Sequence, residues 1–265
     1  MTPLDQKIAS QYAGLVVRKD LVKAVRGNAI VPSYVLEYLL GQYCATSDEA
    51  GIQAGIETVK EILQKHYVHR SEAGLVKSTI KEKGRHKVID KVSVGLNDKA
   101  GVYEAQFSNL GINKVLVDSD TVKRNPKLLV SGVWCIADLE YQVSENKDDC
   151  PWVLGNLKAI QMANFDLEQF LSARRQFSTE EWIDLLIQSI GFDPSKFGRR
   201  SKLIQLVRLV AFCERNYNLI ELGPKGTGKS HIYSEFSPHG ILISGGEVTV
   251  AKLFVNNASG KIGLV

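Results

Sequence analysis

The sequence predicts an α+β chain in three stretches. N-terminal helices come first, then a small antiparallel β-barrel or sandwich with an OB-like barrel among the candidates, then the start of an α/β domain. Three observations carry this prediction. Apolar residues recur at spacings of three and four up to about residue 70 and again after Asp166; between about 73 and 162 they alternate with a period of two; after residue 216 short apolar runs and helix-length segments alternate around a glycine-rich loop.

Composition sets the frame. A chain of 265 residues, 44% hydrophobic and 23% charged, suffices for one large or two ordinary domains and excludes a disordered, collagen-like or coiled-coil protein. With 33 Lys+Arg against 29 Asp+Glu the net charge is +4, which permits an anionic partner without demanding one. Cys44, Cys135, Cys150 and Cys213 form no CxxC pair, and MTPLDQKIAS lacks the pattern of a signal peptide, so a cytoplasmic chain with free thiols is expected. The longest apolar stretch, 203–213, is interrupted by Gln205 and Arg208 and falls short of the roughly 20 residues a membrane span needs. A soluble chain with no membrane partner follows.

Helices open the chain. Thr2-Pro3-Leu4-Asp5 places a hydroxyl before proline and an acid three residues on, a start signal. Further helical stretches are read at about 18–26, 32–43 and 48–67, the last with Ile52, Ile56, Val59, Ile62, Leu63 and Tyr67 on one stripe and Glu57, Lys60, Glu61 and Lys65 off it. The first ends at Gly27-Asn28 and the next begins at Pro32.

Strands follow. Val88, Asp90, Val92 and Val94 alternate against Lys87, Ile89, Lys91 and Ser93, and 102–107 continues the pattern. Runs at 114–118, 127–143 and 153–160 complete five or six strands. Turn clusters at 97–101, 109–111, 124–126 and 146–149 separate them, with no helix-length segment between. After Asp166 helical periodicity returns: Ser178-Thr179-Glu180-Glu181 forms a capping box before Trp182, Leu185, Leu186 and Ile190, Gly191 stops that helix, and another spans about 199–214. The last stretch reads as a strand at 217–222, a helix from 229, a strand at 241–244, a helix near 248–255 and an apolar run at 262–265.

The strongest motif is Gly223-Pro224-Lys225-Gly226-Thr227-Gly228-Lys229-Ser230, which fits GxxxxGK[ST] at every position and follows the apolar run 218–222. Glycines let the backbone wrap closely enough for N–H groups to face phosphate oxygens, Lys229 reaches the β- and γ-phosphates of ATP, and the Ser230 hydroxyl ligates Mg²⁺. Hydrolysis also needs an acid at the end of a neighbouring strand, and no hydrophobic strand ending in Asp or Glu follows the loop. Only 35 residues come after Ser230, ending on the apolar run Ile262-Gly263-Leu264-Val265, so the expectation is a chain cut within its nucleotide-binding domain. A second cluster, 77–87, carries Lys77, Lys81, Lys83, Arg85 and Lys87 against one Glu. Read as a hairpin, it offers clustered cations for the phosphates of double-stranded DNA and equally describes a solvated surface. Arg174-Arg175 and Arg199-Arg200-Ser201-Lys202 are shorter basic clusters, and His66 and His69 have no partners at metal spacing.

Residues 191–194 and 199–200, the helix 203–210, the run Glu214 to Ser230 and Ile243-Ser244-Gly245-Gly246-Glu247 together resemble the BrxL family, Lon-like AAA+ ATPases of BREX phage-defence systems. The resemblance is most specific between about 191 and 250 and extends more weakly over the whole chain. It implies an N-terminal DNA-engaging region, an AAA+ module that forms rings, a hexamer among them, and a Lon-like C-terminal region, with other BREX proteins as further partners. Only the phosphate loop, 223–230, carries over residue by residue. The resemblance implies that the remaining family catalytic motifs lie beyond Val265, so this chain resembles an N-terminal fragment that is not expected to act as an ATPase alone and to which no protease residue is assigned. The implied organisation is an N-terminal helical region at 1–70, an OB-like DNA-engaging region at 71–165, a helical connector at 166–215 and the start of an AAA+ P-loop domain at 216–265. Competing with this DNA-binding and assembly role are an independent kinase-like P-loop enzyme, which would need an acid and a lid after the loop, and a structural oligomerisation module with an inert site.

Overall fold

Thr2 starts the first helix as its sequence dictates: its hydroxyl accepts the Asp5 N–H at 3.2 Å, and the Asp5 carboxylate accepts the Thr2 N–H at 2.7 Å. The structure, a computed structural model, describes all residues except 1, 47, 131, 144–149, 162–165, 239, 241, 244–247, 257–260 and 263–265. In chain order the helices are α1 (Pro3–Gln11), α2 (Lys19–Arg26), α3 (Ser33–Tyr43), α4 (Glu49–His66), α5 (Ala73–Lys83), α6 (Ser119–Arg124), α7 (Leu167–Arg174), α8 (Thr179–Ser189), α9 (Arg199–Cys213), α10 (Lys229–Glu235) and α11 (Val250–Leu253). The strands are β1 (Arg85–Asn97), β2 (Val102–Phe107), β3 (Ile112–Val117), β4 (Val133–Tyr141), β5 (Trp152–Ala159), β6 (Val255–Asn256) and β7 (Lys261–Ile262). The chain divides into two compact units, 1–61 with 161–242, and 62–160 with 243–265.

In the first unit α2 and α3 bury Leu21, Val22 and Val25 against Val35, Leu36, Leu39 and Leu40. The end of α3 lies so close to α4 that a Cβ on Gly55 would stand 2.4 Å from the Tyr43 carbonyl oxygen. An aromatic cluster joins α1 to α7 and α8: Tyr12 stacks on Phe177 at 5.8 Å, Phe170 meets Trp182 edge-on at 5.9 Å, and Arg174 lies 4.5 Å above the Trp182 ring. A second cluster, Ile187, Ile190 and Ile232 with Phe192, Leu206, Leu209 and Phe212, packs α8, α9 and α10 together.

The second unit is built on a closed barrel in the order β1-β2-β3-β5-β4. The 13-residue β1 is long enough to serve two neighbours, pairing antiparallel with β4 from Arg85 to Val92 and with β2 from Val92 to Asn97. Closure comes where β3 meets β5 in parallel at Leu116 and Val153. Val88, Val92, Val94, Ala105, Phe107, Val115, Cys135, Ala137 and Leu139 fill the interior, so the period-two pattern of the sequence is the inward face of the barrel.

Several expectations change. The basic segment 77–87 is a helix followed by a strand: Ile80 is fully buried and Val76 packs on the barrel core, while Gly84, at φ +74°, ends α5 in the left-handed conformation that glycine tolerates. A helix, α6, does separate β3 from β4, capped by Asp118, which accepts the Thr121 N–H at 2.7 Å. The run read as a strand at 127–143 begins instead with a 3-10 turn at Pro126–Leu129 and becomes a strand only at Val133. Residues 217–222 form no strand: among the described residues no neighbour pairs with them, and Ile220 and Leu222 stay 88% and 90% exposed. Leu242 and Ile243, within the expected strand 241–244, are irregular, the helix near 248–255 is reduced to α11, and Ile262 lies in the antiparallel β6–β7 pair. The parallel sheet is therefore not formed by the described residues. Residues 146–149, 244–247 and 263–265, which the sequence reading also used, lie outside them.

Candidate functional site

The glycine-rich segment forms a tight loop between α9 and α10. Gly226 and Gly228 have φ of +80° and +77°, which L side chains rarely adopt, and Gly228 leads directly into α10. The Lys229 ammonium turns back over the loop, donating to the Gly223 carbonyl at 3.1 Å, to the Thr227 hydroxyl at 3.0 Å and to the Pro224 carbonyl. The Thr227 hydroxyl donates in turn to the Pro224 carbonyl at 3.2 Å. Ser230 is exposed at the first turn of α10, and Pro224, Lys225, Gly226 and Thr227 are exposed as well. Lys229 and Ser230 thus share one small surface with the loop backbone, the donor set that a polyphosphate and its cation need.

Beneath the loop sits a group that pattern reading passed over. Arg208 of α9 is only 5% exposed; its Nε donates to both Glu221 carboxylate oxygens at 3.0 and 3.2 Å, its Nη2 donates to Glu221, and the same nitrogen reaches the Thr227 carbonyl at 3.4 Å. At the far end of α10, Glu235 accepts from the Ser33 N–H at 2.7 Å, the Ser33 hydroxyl at 2.9 Å and Arg26 at 3.3 Å. The available signal for Arg208 was a cation inside the apolar run 206–210; Glu235 carried none.

The five basic residues of 77–87 are distributed rather than pooled. Lys77 donates to the Gly111 carbonyl at 3.3 Å, Lys81 lies 5.9 Å above the Tyr141 ring, and Arg85 pairs with Asp138 at 3.1 Å and Glu140 at 3.7 Å. Lys83 and Lys87 are exposed and have no charged partner among the described residues. Within the barrel, Asp90 is fully buried and accepts the N–H groups of Lys91 at 2.6 Å, Asn109 at 2.9 Å and Leu110 at 2.8 Å, with burial pushing its carboxyl above the usual range. An acid on the inward face beside Val88 and Val92 was its signal in the sequence. His66 and His86 face each other at 5.5 Å, each bonded to a backbone carbonyl beside the other, Lys87 at 2.9 Å and Lys65 at 3.1 Å. Among the described residues no three His, Cys, Asp or Glu gather as a metal site, and no helix is long and apolar enough to cross a membrane.

The stretch that carries the loop matches a family of ATPase domains. A family model described as "Lon-like protease BrxL-like, ATPase domain" matches residues 152–265, and one described as "BREX system Lon protease-like protein BrxL N-terminal" matches residues 10–141. The chain is 51% identical over 262 residues to "Lon-like protease BrxL" of Escherichia coli strain HS, covering 99% of this chain and 38% of that protein. To the protein of the same description from Bacillus cereus it is 52% identical over 266 residues, covering 100% of this chain and 39% of that one. The chain belongs to the BrxL family and spans less than two fifths of the length of these curated relatives.

Proposed function

We propose that this chain is the DNA-engaging and assembly portion of a BREX-associated AAA+ ATPase, acting in the cytoplasm, whose loop 223–230 holds ATP and Mg²⁺. The observation that carries the reading is Lys229. An ammonium that satisfies itself on the Gly223 and Pro224 carbonyls and the Thr227 hydroxyl is already drawn over the loop, where phosphate oxygens offer it better acceptors. Bound MgATP would supply the phosphoanhydride whose cleavage drives the motor; Lys229 would neutralise its β- and γ-phosphates and Ser230 would meet the cation.

For the barrel, the order β1-β2-β3-β5-β4 with β3 parallel to β5 supports an OB-type reading, and the exposed cations Lys83 and Lys87 support contacts to duplex phosphates. Self-association into a ring is supported by Leu219, Ile220 and Leu222, which are exposed with no partner strand among the described residues. The test of the nucleotide reading is binding of a fluorescent ATP analogue to the chain: saturable binding that Lys229→Ala abolishes supports it, and binding indifferent to Lys229 refutes it.

A further inference from the structure

We infer that Arg208 is a positioning residue for the phosphate loop, its guanidinium tying Glu221, just before the loop, to the carbonyl of Thr227 within it and so fixing the direction of the Gly228 N–H. The inference rests on reading 223–230 as a phosphate loop. It begins with a cost. Arg208 is 5% exposed, and its Nη1 has no hydrogen-bond partner among the described residues. Burying the guanidinium costs desolvation that its pairing with the half-buried Glu221 does not fully repay, and the unpaired nitrogen adds to the deficit, so stability alone does not account for an arginine here.

Geometry supplies the account. The peptide joining Thr227 to Gly228 is trans and planar, so its N–H points opposite to its C=O. With the Thr227 carbonyl turned toward Arg208, the Gly228 N–H is turned away from it. The position calls for glycine, at φ +77° and with a Cβ that would lie 3.3 Å from the Phe192 ring, and glycine's backbone freedom leaves this peptide's orientation to its hydrogen bond with Arg208. Flipping this peptide would remove one N–H from the anion-facing set and direct a carbonyl dipole into it, converting an attraction for phosphate into a repulsion. Glu221 holds the guanidinium in register through both of its oxygens, a fork that arginine makes and lysine cannot.

Two variants separate this role from a merely structural one. Arg208→Lys keeps a cation facing Glu221 but cannot reach Thr227 at the same time. Arg208→Gln combined with Glu221→Gln removes both charges of the pair, the guanidinium buried and the carboxylate half-buried, a change expected to leave the melting temperature unchanged or raised. For each, the melting temperature of the nucleotide-free chain and the affinity for MgATP are measured beside wild type and Lys229→Ala. The expected result is an affinity loss of about tenfold in both variants, the scale of one missing charge-assisted hydrogen bond, with the neutral pair melting no lower than wild type. Wild-type affinity in either variant overturns the inference, as does an affinity loss that only follows a fall in melting temperature. If Lys229→Ala also binds like wild type, or no chain binds, the phosphate-loop reading falls and this inference with it.

Discussion

Glu235, the last residue of α10, the helix that follows the glycine-rich loop, accepts both the backbone N–H and the hydroxyl of Ser33, the first residue of α3. A carboxylate at a helix C-terminus faces the negative end of the helix dipole, so its place there depends on those donors and on Arg26. The contact joins two helices 202 residues apart in sequence.

Glu235→Ala should destabilise the helical unit by about 1–3 kcal/mol, because it strands donors at the start of α3 in a partly buried site, and Glu235→Gln should cost less. Chemical denaturation followed by circular dichroism measures both. Equal stability of Glu235→Ala and wild type would remove the contact from the packing of this unit.

Much of this architecture was legible in local chemistry. Thr2-Pro3 and the Ser178–Glu181 box announce helices that form where they stand, and the alternation of 88–94 is the barrel's inward face. The helix α5 escaped because its cations Lys77, Lys81 and Lys83 run on into Arg85 and Lys87 of β1 as one basic segment, though Ala73, Val76 and Ile80, at helical spacing, are the residues it packs on the barrel. At 217–222 the apolar run is real, but a strand exists only through a neighbour, and local sequence cannot supply one. For the candidate site, the loop residues were legible as a motif. Arg208 and Glu235 act through partners 13 and 202 positions away, a distance that no spacing rule reaches.

Gly55 marks the closest approach of α3 to α4. Gly55→Ala should cost about 2–3 kcal/mol, since the methyl group would meet the Tyr43 carbonyl at 2.4 Å and the Cys44 sulfur at 2.6 Å, and backbone yields less than a flexible side chain. A shift in the denaturation midpoint measures it; Gly41→Ala, inside α3 with open space around it, serves as the control and should be as stable as wild type or more so.

Acid should weaken the helical unit through Glu181. The hydrogen bond from Lys7 at 2.8 Å, with the Ser178 N–H beside it, holds this carboxyl at about 2, well below its ordinary 4.5. A depressed pKa means stability that is present above about 4.5 and lost as pH falls toward about 2. Glu181→Gln should flatten that acid limb in a series of denaturation curves, and an unchanged limb would place the titration elsewhere.

On the barrel, Lys83 and Lys87 should carry more DNA affinity than Arg85, whose charge Asp138 and Glu140 already meet. Reversing Lys83 and Lys87 to Glu should weaken duplex binding at low salt and flatten the dependence on log salt by about 0.9 for each phosphate left without its cation. Fluorescence anisotropy across a salt series decides it, and affinity unchanged in the double variant would move any DNA contact away from this edge.

The central claim is that the loop 223–230 binds the phosphates of a nucleotide through Lys229. Isothermal titration of the 265-residue chain with MgATP and with AMP tests it most directly. The account predicts saturable MgATP binding near one per chain, much weaker AMP binding because Lys229 addresses the β- and γ-phosphates, and loss of the MgATP signal in Lys229→Ala. MgATP heats indistinguishable between wild type and Lys229→Ala would contradict it.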